Sequence, residues 1–303
     1  MGSPVPEGAE AAGGDAPGQA QRPSGQHPTA RMRALREAWA SSPALLAGSA
    51  LVGLWILCAL AWPVLAPYDP LTLDVAAALQ PPSAAHWLGT DGFGRDVLSR
   101  VLAGSRSALL IAPAATLLGL VLGTAVGLVA AYLRGWADDV IMRVVDAVMA
   151  FPIVILSLLV LTFLGPSTGN VILVVGLVFT PLIARTVRAA ALPEREKEYV
   201  AAAQLRGEPA LYVMAVEILP NIRAPLIVEG TIRVGYAVFT AATLGFLGLG
   251  VQPPTPDWGL MVNEGRAALT LAPWAVLFPS LAIGAVVVGI SLLADGLKEV
   301  LAP

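Results

Sequence analysis

Five stretches without a single charged side chain run through this chain, at 38–68, 107–133, 147–184, 234–256 and 267–294. Each is longer than the roughly 20 apolar residues that a helix needs to cross the hydrocarbon core of a bilayer. Composition leaves no soluble alternative. Of the 303 residues 56% are apolar and only 13% charged, with a mean hydropathy of +0.75, which is too little polar surface to coat a water-soluble body of this size. The chain is expected to be an all-α, polytopic, multi-pass membrane protein with the lipid bilayer as its first partner.

Five windows imply six spans. A single helix over 147–184 would be roughly 57 Å long, nearly twice the bilayer core, and GPSTGN at 165–170 interrupts it with a strong turn signal. The expected transmembrane helices lie near 44–66, 107–132, 146–164, 171–190, 224–250 and 272–294. Six crossings put both termini on one side. Thirteen Lys and Arg residues, among them Arg31, Arg33, Arg36, Arg185, Arg188 and Lys197, fall on that side, against Arg95, Arg100, Arg106 and Arg266 on the other. The excess of positive charge makes the N- and C-termini cytoplasmic.

Residues 1–30, rich in Gly, Pro, Ala, Ser and Gln, read as a disordered cytoplasmic tail. The first apolar stretch begins only around Ala44, so it is expected to be an uncleaved anchor and not a signal peptide. The expected second unit, 31–106, holds an interfacial elbow around Arg31–Trp39, the first transmembrane helix opened by a Ser42-Pro43 cap, and an extracytoplasmic segment. A core of five helices follows over 107–297, with a cytoplasmic loop at 191–223.

Several functions are excluded at this stage. A net charge of −3 and a pI near 5.4 offer nucleic acid no basic face. Cys58 is the one cysteine, so neither an internal disulfide nor a thiolate cluster can form. His27 and His86 lie in different segments, no nucleophile, base and orienting acid share a helix face, and no metal or cofactor is expected. A phosphate-binding loop of the form GxxxxGK[ST] needs a lysine in that setting, and neither Lys197 nor Lys298 has one. A self-sufficient ion-coupled carrier would ordinarily need acidic groups at midplane or broken helices, whereas the window centres are uncharged. The chain is expected to be non-catalytic and to take its energy from a partner.

The loop reads LPEREKEYVAAAQLRGEPALYVMAVEILPN. Pro193 suits a first-turn position, Gly207 ends one short helix, Pro209 opens the next and Pro220 stops it. Small residues Ala201, Ala202 and Ala203 permit close approach, while Tyr199, Leu205, Leu211, Tyr212 and Met214 supply apolar contact area. An amphipathic connector would share these features.

AAAQLRG followed by EILPN resembles the EAA loop of permeases from binding-protein-dependent ABC importers. Ala202, Ala203, Gly207, Leu219 and Pro220 match the spacing of that pattern; Ala201 stands where the pattern has Glu, and Glu217 where it has Ile. HWLGTDGFGRDVLSR at 86–100, VMAFP at 148–152 and LGFLGLGVQPPTPDWGLM at 244–261 extend the likeness to the C-type permease of the dipeptide, oligopeptide and nickel importer family, over about residues 35–300. The resemblance implies a type I ABC importer permease fold, half of a path for di- or oligopeptides, nickel or another small solute, and three kinds of partner: a second paralogous permease, two cytoplasmic ATP-binding subunits and an extracytoplasmic substrate-binding protein. It makes the bent loop a coupling helix, with Glu198, Ala201, Ala202, Ala203, Leu205, Gly207, Glu208 and Leu211 as the expected contacts to an ATPase.

Outside the loop, Glu229 and Arg233 sit four apart on the fifth helix, a candidate gate or a structural ion pair. Asp146 is expected at a helix start beside Arg143. Thr90 or Asp91 should cap the helix after Gly94, with Asp96 and Arg100 paired along it. Asp257 and Trp258 are candidates for receiving the binding protein, and Trp258 and Trp274 equally for anchoring at the interface. Gly119, Gly123 and Gly127 form a small-residue stripe for close helix packing.

Overall fold

The computed structural model describes residues 42–301; the expected tail and the expected interfacial elbow lie outside them. The described residues are helical, with only an isolated bridge between Thr90 and Asp96. Helix α1 spans Pro43–Leu65, α2 Val97–Leu133, α3 Gly135–Met149, α4 Ile153–Leu164 and α5 Thr168–Arg195. A bent segment follows, α6 at Glu198–Leu205 and a short irregular helical run over Ala210–Asn221. The chain then forms α7 at Arg223–Phe246, α8 at Trp258–Gly265 and α9 at Trp274–Leu301.

Four helices, α1, α2, α5 and α9, are long and apolar enough to cross a membrane, and two bent pairs raise the number to six. Ser42 caps α1 and its hydroxyl also donates to Glu299 near the end of α9 at 2.7 Å, so the first and last spans meet at one end of the bundle. The bent segment 198–221 lies at that near end, where Arg134 pairs with Glu196. Segments 66–96 and 247–273 close the far end.

The third expected span differs from its reading. α3 and α4 meet at 86° across Ala150–Pro152, because Pro152 lacks an N–H to continue α3 and forces the residue before it out of helical geometry. Asp138 and Asp146, about 12 Å apart along α3, pair with Arg188 and Arg185, which are less than one turn apart on α5. Helix α3 therefore runs across α5, and Asp146 sits late in α3, away from any helix start and paired with Arg185 in place of Arg143.

Helix α2 begins at Val97, ten residues before the expected start. Arg100 and Arg106 end the uncharged window, yet Arg100 is only 1% exposed and its charge is met inside the protein, so the helix continues through it. Lipid tails are as apolar as leucine, and helices in a bilayer are held by close packing. The glycine stripe supplies it: a Cβ at Gly127 would stand 2.5 Å from the Ala184 carbonyl oxygen, and one at Gly123 would be 2.7 Å from Ile183. The neighbour is α5 of the same chain.

Candidate functional site

The far end is tied by buried charge. Arg95 donates through Nε to Asp91 at 2.7 Å and through Nη2 to Glu264 at 2.6 Å. Arg100 reaches the same Glu264 at 3.2 Å and the Pro70 carbonyl at 3.3 Å. Two guanidiniums and two carboxylates thus neutralise one another while joining the 66–96 segment, the start of α2 and α8. The expected Asp96–Arg100 pair does not form, and neither Thr90 nor Asp91 caps α2. Asp96 does, accepting from the Ser99 N–H at 2.8 Å and meeting His86 Nδ1 at 2.9 Å. Its carboxylate points back over the helix start, away from Arg100. Thr90 is turned toward the Ala77 carbonyl, and Asp91 accepts from the Phe93 and Arg95 backbone.

Trp258 and Trp274 belong to this lock and are not free interfacial anchors. Trp258 is buried, donates to the Val101 carbonyl at 2.9 Å and meets the Trp55 ring edge-on at 5.0 Å. Trp274 donates to the Thr90 carbonyl at 3.0 Å. Asp257 caps α8 through the Leu260 N–H at 3.0 Å, and full burial pushes its carboxyl up to about 6, against an ordinary 3.8. A buried carboxyl of this kind cannot be the outward contact considered for it.

The near end is built differently. Pro193 falls in the last turn of α5 and does not open the next helix; α6 starts at Glu198 after an extended Lys197. Gly207 does end α6, at φ +79, a left-handed conformation in which a side chain is strained, and Pro209 leads into the second limb. Val200, Ala203, Val213 and Ile218 are buried between the limbs. Ala203, expected as a contact to a partner, is fully buried because it faces this small core; its place is packing. Ala201 and Ala202 are exposed, as is Glu198, while Glu208 is partly covered. Leu205 is 89% and Leu211 73% exposed on either side of the Gly207 bend. An apolar cleft of about 530 Å³ runs beneath Leu211, lined by Met214, Leu219, Leu120 and Leu128.

What holds this elbow in shape was not legible from the motif. Tyr199 donates to Glu194 Oε1 at 2.6 Å, Lys197 meets the other carboxylate oxygen of Glu194 at 2.8 Å, and Asn221 donates to the Tyr199 hydroxyl at 3.2 Å and to the Glu217 carbonyl at 2.7 Å. Burial, then the bond to Glu194, pushes the Tyr199 hydroxyl up to about 12, so it remains a donor at any working pH. One phenol thereby joins the end of α5, the elbow and the root of α7. Glu217 meets Arg206 at 3.3 Å across the bend. The only signal for this hub in the sequence is the Glu-x-x-Lys-x-Tyr spacing in 194–199, which a solvated charge run would also show.

Glu229 and Arg233 are joined, as the spacing predicts: Arg233 Nε and Nη2 both lie 2.6 Å from Glu229 Oε1. Among the described residues no three His, Cys, Asp or Glu side chains gather to hold a metal ion.

A bundle of apolar helices, tied by buried charge at one end and carrying an ordered bent loop with exposed leucines at the other, makes this a polytopic membrane protein. Residues 119–303 match the family described as the binding-protein-dependent transport system inner membrane component, and the chain belongs to that family. It is 39% identical to a dipeptide transport system permease protein of Alkalihalophilus pseudofirmus over 85% of both chains. It is 40% identical to a di/tripeptide transport system permease protein of Pseudomonas aeruginosa, over 89% of this chain and 92% of that one. To a glutathione transport system permease protein of Pectobacterium atrosepticum it is 40% identical over 79% and 80%. The chain is thus a permease subunit, multi-pass in the cytoplasmic membrane.

Proposed function

We propose that this chain is one of two paralogous permeases in an importer of short peptides, that it forms half of the path, and that it catalyses no chemistry itself. Two cytoplasmic ATP-binding subunits drive it, an extracytoplasmic binding protein delivers the cargo, and both termini of the chain are cytoplasmic. The relatives named for dipeptide, di/tripeptide and glutathione transport support the cargo class. The coupling loop within 191–223 docks on an ATP-binding subunit through Glu198, Ala201, Ala202, Leu205, Glu208 and Leu211, with Gly207 setting the angle between its limbs.

The observation that carries this reading is the exposure of Leu205 and Leu211 on an otherwise braced elbow. Large apolar side chains held in water by an ordered loop favour a partner that covers them. The test is the double substitution Leu205→Ser, Leu211→Ser in the complete importer. Because both side chains are exposed, the permease itself should change in stability by no more than about 0.5 kcal/mol. Co-purification of the ATP-binding subunits and ATP turnover stimulated by the binding protein should each fall about tenfold or more, the equivalent of about 1.4 kcal/mol of lost contact. Wild-type values for both would defeat the docking assignment.

A further inference from the structure

The ion pair on α7 is at an unusual depth for charge. Counting from Arg223 at 1.5 Å per residue, Arg233 lies about 15 Å along the helix and Glu229 about 9 Å, so the pair falls within a span and not at its mouth. Glu229 is 8% exposed and the Arg233 side chain 16%. The pair is also unsaturated. Both nitrogens that Arg233 commits go to the same oxygen, Glu229 Oε1, and neither Glu229 Oε2 nor Arg233 Nη1 has a hydrogen-bond partner among the described residues. Beyond Glu229, Arg233 has only the faces of Tyr236, at 5.6 Å, and Phe179, at 6.0 Å.

A pair whose purpose was to be hidden would close those valences, since an unmet carboxylate oxygen or guanidinium nitrogen in hydrocarbon is costly. Open valences of opposite sign, side by side, fit a ligand that carries both charges. Tyr236, one turn further along and 57% exposed, continues the same stripe toward the far end. The far-end cluster, by contrast, shares its two carboxylates between two guanidiniums.

We infer that Glu229 and Arg233 face the water-filled path and receive the charged ends of a peptide in transit, Glu229 meeting its ammonium and Arg233 its carboxylate. This rests on the peptide reading above. Replacing one partner alone would strand the other charge, so the informative variant removes both, Glu229→Gln with Arg233→Gln.

The experiment uses proteoliposomes holding the complete importer, with a radiolabelled dipeptide delivered by the binding protein. ATP turnover stimulated by the binding protein should persist in the double variant while uptake per ATP falls about tenfold or more, since both charge-assisted contacts to the cargo are removed. Uptake within about twofold of wild type, where tenfold is the effect of about 1.4 kcal/mol, would overturn the inference. If the wild type hydrolyses ATP and moves no dipeptide, the cargo reading fails instead, which is a distinct result. A second measurement covers a variant that does not assemble. Cys58 is the one cysteine, so Tyr236→Cys in a Cys58→Ser background carries a single thiol beside the pair. A membrane-impermeant thiol reagent should label it, and more slowly while dipeptide is being delivered; a thiol unreactive under every condition contradicts a wet path.

Discussion

The two ends of the bundle solve opposite problems with similar residues. At the far end, Asp91, Arg95, Arg100 and Glu264 pair with one another, although Arg100 Nε stays buried without a hydrogen-bond partner, and Trp258 and Trp274 are turned inward to carbonyls. At the near end the pairs around the bend are shallow, the Arg206 side chain being 55% exposed and that of Glu196 64%, while Asp138 and Glu194 keep buried carboxylates there too. Large apolar side chains are left uncovered there. The first arrangement ties distant segments of the chain to one another, whereas the second carries Leu205 and Leu211 uncovered at a bend, the surface proposed above to meet an ATP-binding subunit.

The comparison breaks first at Arg100. Arg100→Met should cost about 3–5 kcal/mol, because the buried Asp91 and the partly buried Glu264 would be left to share Arg95 alone, and a large drop in the thermal unfolding midpoint of the purified permease is expected. A midpoint within a degree or two of wild type would mean that the far-end network does not hold the fold.

Asp257 gives the next effect, with a sign that separates it from the salt bridges. Its folded-state pKa, about 6, lies above the ordinary 3.8, so the folded protein binds this proton more tightly than the unfolded chain does. The stability it contributes is fully present below about pH 3.8 and is lost as pH rises through 6, by up to about 3 kcal/mol. The stability difference between wild type and Asp257→Asn should therefore shift in favour of the variant between pH 4 and pH 7. A pH-independent difference would show that Asp257 is not buried as described.

The smallest change in stability sharpens the comparison most. Tyr199→Phe removes only the hydroxyl that links Glu194, the elbow and Asn221, and should cost about 1 kcal/mol. The ATP-binding subunits should still associate, since Leu205 and Leu211 are untouched, but peptide moved per ATP should decline several-fold because the elbow is no longer braced to α5 and α7. An unchanged transport ratio would make the hub dispensable for force transfer.

The parts of this architecture that depend on local chemistry were legible in the sequence. The GPSTGN turn, the Ser42-Pro43 cap, the Gly207 bend, the glycine stripe and the Glu229–Arg233 pair each act through neighbours a few residues away or through a steric requirement that the residue type itself announces. Pairings between distant segments were not. Arg100 has a plausible partner at Asp96 and an actual one 164 residues away at Glu264; helical spacing cannot weigh the two. The break at Pro152 was missed: the uncharged apolar run on both sides of it was drawn as one span over 146–164, although a proline inside a helical stretch removes a hydrogen bond and kinks or ends it. At the elbow, an alanine run read as contact surface proved two-sided, with Ala203 turned inward. Only the direction in which α6 packs decides which alanines remain outside.

The docking of the elbow is tested most directly by hydrogen exchange over residues 198–212, followed in the permease pair alone and again after the ATP-binding subunits are added. Protection of this segment, concentrated around Leu205 and Leu211 and absent from the far-end segments, is the predicted result. An elbow that exchanges at the same rate in an assembly hydrolysing ATP and importing its cargo would contradict the account.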